Sequence, residues 1–119
     1  MKESIENILY KLERILRLDF VINVRIIEAT KSVLKARVYF SEDLYIQIYE
    51  NIKKPKKSYI LIFNEKRIFG KDFVFGKWHR HPFENPDAHD ESKIAQQAVT
   101  IDEFIEESFY IASEKLEII

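Results

Sequence analysis

"VLKARVYFSEDLYIQIYE", residues 33–50, alternates in a way that an extended chain can use and a helix cannot. Leu34, Ala36, Val38 and Phe40 share one parity; Val33, Lys35, Arg37 and Tyr39 share the other. Successive side chains of a strand point to opposite faces, so this run predicts a half-buried strand over Val33–Phe40. After the polar break Ser41–Glu42–Asp43 the alternation restarts, with Leu44, Ile46 and Ile48 inside and Tyr45, Gln47 and Tyr49 outside. Two period-two runs joined by a short polar link read as a β-hairpin.

The same period extends in both directions. Phe20–Ala29 sets Phe20, Ile22, Val24 and Ile26 against Val21, Asn23, Arg25 and Ile27. Leu44–Ile52 is followed by Tyr59–Phe63, apolar throughout as a central strand is, and Asp72–Trp78 is a fifth strand candidate. The remaining links, Thr30–Ser32, Lys53–Lys57 with Pro55, and Asn64–Lys66, are short and polar, so the sheet is expected to be an antiparallel meander. Period two gives way to period 3.6 at both ends. Ile5, Ile8, Leu9, Leu12, Ile15 and Leu16 make one apolar stripe on a helix over Ser4–Asp19. A long loop, Arg80–Val99, precedes a second helix that starts at Thr100, where Glu103 completes a capping box, and Ser92–Ala98 has room for an extra helical turn. Ile101, Phe104, Ile105, Phe109, Ala112 and Leu116 line that helix.

The expectation is one α+β domain over residues 1–119: a five-stranded antiparallel meander flanked by an N-terminal and a C-terminal helix, α-β-β-β-β-β-α. Both helices should pack on the one strongly apolar sheet face. The opposite face then carries Arg25, Lys35, Arg37, Tyr39, Tyr45, Gln47 and Tyr49. Arg, Lys and Tyr on an open sheet can hold RNA or a protein partner, although an ordinary amphipathic surface has the same composition.

Composition narrows the chemistry. A chain of 119 residues, 46% hydrophobic, can bury a core, and a third of it is charged. No run of about 18 apolar residues predicts a membrane span, and the charged start, MKESIENILYKL, has no signal core. A cytoplasmic protein with no membrane partner is expected. The absence of cysteine removes disulfides, thiolate metal sites and a cysteine nucleophile. Two glycines, Gly70 and Gly76, cannot build a glycine-rich phosphate loop. High Lys, Glu and Ile content hints at a thermophile.

The net charge of −1 conceals two opposed blocks. Residues 53–81 hold nine basic groups (Lys53, Lys54, Lys56, Lys57, Lys66, Arg67, Lys71, Lys77, Arg80) against Glu65 and Asp72. Residues 82–119 hold ten acidic groups against Lys93 and Lys115. The basic block can meet phosphates; a solvated lysine turn facing an acidic helix is the plainer account.

The segment "GKWHRHPFENPDAHD", residues 76–90, contains all three histidines. His79 and His81 share a side of an extended chain, while Arg80 points the other way. Pro82 and Pro86 stiffen a turn that can return His89 to the pair. Three chemistries fit. His79, His81 and His89, with Asp87 or Asp90, could ligate a divalent transition metal such as Zn, Ni or Co. Alternatively no cofactor is required: one histidine takes a 2′-hydroxyl proton, another protonates the leaving oxygen, and Arg80 or Lys77 contacts phosphate. Or the histidines simply tie the loop in place. Glu50 has the parity of Leu44, Ile46 and Ile48, where desolvation would raise a carboxyl pKa; the plainer expectation is that the strand has ended and Glu50 reaches water. Trp78 is expected to plug the core.

The order of features resembles the TumE-type family of small proteins from prokaryotic toxin–antitoxin systems. The matching stretches are "LKARVYFSEDLYIQIYE", "KKSYILIF", "KDFVFGKWHRHPFENPDAHD" and "TIDEFIEESF", across roughly residues 20–110. The family's dense histidine segment is spread here as His79, His81 and His89. The resemblance implies a toxin acting on RNA or translation, neutralised by an antitoxin protein encoded nearby. Glu50, Tyr59, His79, His81 and His89 are the positions that match the family pattern. A homodimer paired through an edge strand, Phe20–Ala29 or Asp72–Trp78, is also compatible with the sequence.

Overall fold

The computed structural model describes residues 4–119. In chain order it contains helix α1 (Ile5–Ile15), strands β1 (Asn23–Ala29), β2 (Val33–Tyr39), β3 (Leu44–Asn51), β4 (Lys56–Phe63), β5 (Lys66–Val74) and β6 (Lys77–His81), then helix α2 (Ile101–Tyr110), whose last turn widens to a π-helix over Ile111–Lys115. The six strands form one antiparallel meander in sequence order.

The sheet therefore has six strands rather than five. The expected strand Asp72–Trp78 is the end of β5, a turn and the start of β6. Phe75 and Gly76 make that turn with φ of 53° and 75°, and Asn64–Glu65 joins β4 to β5 with φ of 49° and 67°. Positive φ at both central positions marks the type I′ two-residue hairpin loop, whose backbone twist matches the right-handed twist of the strands. Asn and Gly announce these turns in a sequence; Phe does not, and "DFVFGKW" therefore reads as unbroken.

Register carries the apolar parity from strand to strand. Ala36, Ile48 and Tyr59 lie side by side across β2–β4, as do Val38, Ile46, Leu61 and Phe69 across β2–β5. This face is closed by Ile5, Ile8, Leu12 and Ile15 of α1 and by Ile101, Phe104 and Ile105 of α2, all in one buried cluster. Phe104 stacks on Phe69 at 5.1 Å and tilts against Tyr59 at 5.6 Å. Each fully buried Leu, Ile or Phe contributes about 1.5–3 kcal/mol by leaving water. Trp78 is buried against Tyr59 and Phe73, as expected of a core plug.

Local signals set the element ends. Ser4 caps α1 through Asn7 N. The helix stops at Ile15 rather than Asp19 because Arg17 N and Leu18 N bond to Arg14 and Ile15 carbonyls, a tightening to three-residue spacing that ends the turn. Thr100 and Glu103 form the expected capping box at 3.1 and 2.9 Å. Ser92–Gln96 forms a hydrogen-bonded turn, through Gln96 N to Ser92 O, and no helix. Ile22, Ile26 and Ile27 remain exposed, because β1 is an edge strand and a bulge between Ile26 and Glu28 breaks its alternation. Glu50 does not reach water: β3 continues through Asn51, and Glu50 is 1% exposed on the core face, with Lys57 Nζ 3.5 Å away.

Candidate functional site

The turn at Phe75–Gly76 decides where the histidines go. In the β5–β6 register Lys71 opposes Arg80, Asp72 opposes His79, and Gly70 opposes His81. Lys71 continues the row of Tyr59 and Ile48, so Arg80 belongs to the core face. His79 and His81 belong to the other face, the one that neither helix covers.

Beyond Pro82 the chain turns through Asn85 N to Pro82 O and Ala88 N to Asn85 O. It then comes back along β6. Arg80 N bonds to Asp90 O at 3.1 Å, and Asp90 N returns the bond to Arg80 O at 2.9 Å. This single antiparallel bridge places His89 beside His81 and Glu91 beside His79. The ring centroids of His81 and His89 are 4.5 Å apart, and those of His79 and His89 are 5.9 Å apart, both edge to face. The three histidines do converge.

They differ in what they can do. His81 is 2% exposed, with Nε2 3.1 Å from Asp72 Oδ2 and Nδ1 3.1 Å from the Pro86 carbonyl. Both neighbours accept protons, so both nitrogens are committed, and a neutral ring has only one N–H to offer them. Ser58 Oγ donates to the second oxygen of Asp72 at 2.9 Å. Ser58, Asp72 and His81 thus run as one polar chain over β4, β5 and β6. Gly70 leaves the space beside them: a methyl there would come within 3.3 Å of Tyr59 O and 3.7 Å of His81 Cβ. His79 is half-buried, and its Nδ1 is 3.0 Å from Glu91 Oε1. The contact does not have hydrogen-bond geometry, and Nδ1 has no hydrogen-bond partner. His89 is exposed and edges both other rings.

The same uncovered face carries a row of neighbouring cations and tyrosines. The Arg37 guanidinium sits 4.8 Å from the Tyr45 ring, and Tyr39 and Tyr45 are 5.1 Å apart. Lys35 and Lys56 both approach the Tyr49 ring, at 6.0 and 5.9 Å from its centroid. The hydrogen bond from Arg37 Nη1 to Tyr39 holds the guanidinium's pKa above its ordinary value, against the opposing effect of burial. Its Nε is enclosed without a hydrogen-bond partner. A cleft of about 600 Å³ runs over this face and is lined by Lys35, Arg37, Tyr49, Ser58 and Asp72 among others. Asp72 therefore belongs both to the cleft and to the histidine cluster. From His81 on β6 to Arg37 on β2 is four strand spacings, roughly 19 Å at about 4.8 Å per strand.

Arg25 takes the row of Arg37, and Lys77 shares the parity of His79 and His81. Two expected residues are not brought to the histidines. Arg80 is held on the core face by Glu107 at 3.3 Å and lies over the Phe69 ring. Glu50 is enclosed under the helices. Asp87 is exposed and pairs with Arg67 at 3.9 Å. Among the described residues no group of three or more histidines and carboxylates is arranged to hold a metal ion; His81, with both nitrogens engaged, has no lone pair directed outward.

Asp72, Ser58, Glu91 and Arg67 join the site without having been singled out in the sequence. Asp72 had a signal, as one of two acids in a block with nine bases. Its partner could be found only after the turn at Phe75–Gly76 was placed. No protein-family model, no curated protein and no solved structure matches the chain.

Proposed function

We propose that the uncovered sheet face binds single-stranded RNA and that the histidine cluster on β6 is its reactive centre, which makes the protein a small RNA-directed nuclease of toxin type. One observation carries the reading: the fold brings all three histidines to the face that also presents Arg37, Tyr45, Tyr49 and Lys35. Arg and Lys supply the phosphate attraction, and half-buried tyrosine rings offer faces on which bases stack irrespective of sequence.

In this reading the roles divide by exposure. His81 is a positioning residue, fixed by Asp72 and Pro86. His89 and His79 flank the position for the scissile phosphate. One takes the proton of the 2′-hydroxyl as its oxygen attacks phosphorus; the other gives a proton to the departing 5′-oxygen. The products are a 2′,3′-cyclic phosphate and a free 5′-hydroxyl, with no net change in protons. Arg67, whose Cδ flanks Gly70 beside His81, is the basic group on that face assigned to take the phosphorane charge in place of Arg80. An antitoxin protein would cover the same face.

The test is cleavage of single-stranded RNA by the purified chain in the presence of a chelator. A 2′,3′-cyclic end, lost in His89→Ala and His79→Ala while the circular dichroism spectrum is kept, is expected. Retained cleavage in the double variant would remove the histidine mechanism. A non-enzymatic protein-binding module is the second reading. It draws support from His81, whose ring is held between the Pro86 carbonyl of the loop and the Asp72 carboxylate of β5; co-purification with a partner and no cleavage would favour it.

A further inference from the structure

At one end of the sheet, the β5–β6 turn carries a side chain that folding alone does not explain. Phe75 is 98% exposed, and its φ of 53° lies in the left-handed region. A bulky residue there is strained, and Asn or Gly would suit the turn better. An apolar ring held in water on a strained backbone is the kind of feature that function, rather than stability, maintains.

Its neighbours give the ring a context. Phe75 and the β3–β4 turn flank a cleft of about 870 Å³, lined by Tyr49, Asn51, Lys54, Pro55, Lys56 and Phe73, among others. Lys53, Lys54, Lys56 and Lys77 are all exposed at this end, and no acidic residue occurs between Glu50 and Glu65. The lining combines aromatic rings with lysines. Tyr49, Lys56 and Val74 also line the cleft over the open face, so the two clefts are continuous. From there Asp72 leads to His81.

We infer that Phe75 and Tyr49 form a binding site for an unstacked nucleobase of a single-stranded RNA, with Lys54 and Lys56 holding its flanking phosphates. The inference rests on the RNA reading above and deepens it. It adds an anchoring point at the turn end of the face, four residues before His79 on the strand that leaves the turn, which fixes where a strand enters. The chemistry that fits is a planar π-face beside negative charge. A base–phosphate unit supplies both; a duplex, whose bases are stacked inside, does not.

The experiment uses the full chain and a short single-stranded RNA carrying 2-aminopurine, whose fluorescence falls on stacking. Phe75→Asn keeps a residue that tolerates positive φ and removes the ring; Phe75→Trp restores a ring. The parent protein should quench the probe, and Phe75→Asn should lose the quenching and bind about 5- to 150-fold more weakly, the span expected for one base–aromatic stack. Phe75→Trp should recover both. If Phe75→Asn binds and quenches like the parent while Tyr45→Ala weakens binding, the Phe75 site is overturned and the RNA face stands. If the parent binds no single-stranded RNA, or binds vesicles of anionic lipid instead, both readings fall.

Discussion

Asp72 Oδ2 lies 3.1 Å from His81 Nε2 across the last two strands, while Oδ1 of the same carboxylate accepts from Ser58 Oγ at 2.9 Å. Asp72 thus links the cleft over the sheet to the histidine cluster, and its loss strands two polar groups at once. Asp72→Ala and His81→Ala should each destabilise the fold by about 1–3 kcal/mol, the cost of leaving a buried donor or acceptor unmatched. The double variant should lose less than the sum, by 0.5 kcal/mol or more, in urea unfolding. Strict additivity would mean that the contact contributes nothing.

Phe75 predicts a trade in the opposite direction. Its ring is in water and its backbone is in the left-handed region, so Phe75→Asn should raise the unfolding free energy, by about 1 kcal/mol or less. The urea midpoint reads this directly. A fall in stability would show that the ring packs on the protein and is no surplus to the fold.

Much of this fold is written in the sequence, and the exceptions have physical causes. Leu34 to Ile48 alternate so regularly that strand and face follow, and Thr100 with Glu103 marks the helix start to the residue. The sixth strand was hidden because Phe75 occupies a turn position that Gly, Asn or Asp usually takes. That single misplaced turn also concealed the pairing of Asp72 with His81. His89 was legible as a returning residue from Pro82 and Pro86. The bridge that returns it, Arg80 to Asp90, is a backbone contact that no side-chain pattern encodes. Glu50 followed its parity into the core, against the expectation that it reached water, because β3 continues past it to Asn51 and its side chain lies under the helices.

Lys71 gives a pH dependence. Burial pushes its amine below the usual lysine value of 10.5, an effect only partly opposed by the Glu107, Glu103 and Asp90 carboxylates and reinforced by Arg80. The amine also donates to Gln97 O at 2.7 Å. Because the folded pKa is lowered, the unfolded chain binds the proton more strongly in the window between the folded value and 10.5. Stability from this group therefore rises as pH increases through that window. Lys71→Met should remove the rise, so the parent and the variant should show different slopes of urea midpoint against alkaline pH. Parallel slopes would mean the amine is solvated.

The capping box makes α2 a separate target. Thr100→Ala leaves the Glu103 amide without its side-chain acceptor and should cost about 1 kcal/mol. Its effect should be confined to stability, because Thr100 lies on the side of the sheet away from the histidines. Thermal unfolding and RNA binding of the same variant separate the two: a lower Tm with unchanged affinity is expected.

The central claim is that the uncovered face is an RNA surface, and amide chemical-shift mapping of the full chain during titration with single-stranded RNA tests it most directly. The account predicts shifts concentrated at Arg37, Tyr45, Tyr49, Ser58, Asp72, His79, His81 and His89, with α1 and α2 unmoved and the affinity falling steeply with salt. Shifts confined to the helices, or none at all, would contradict it.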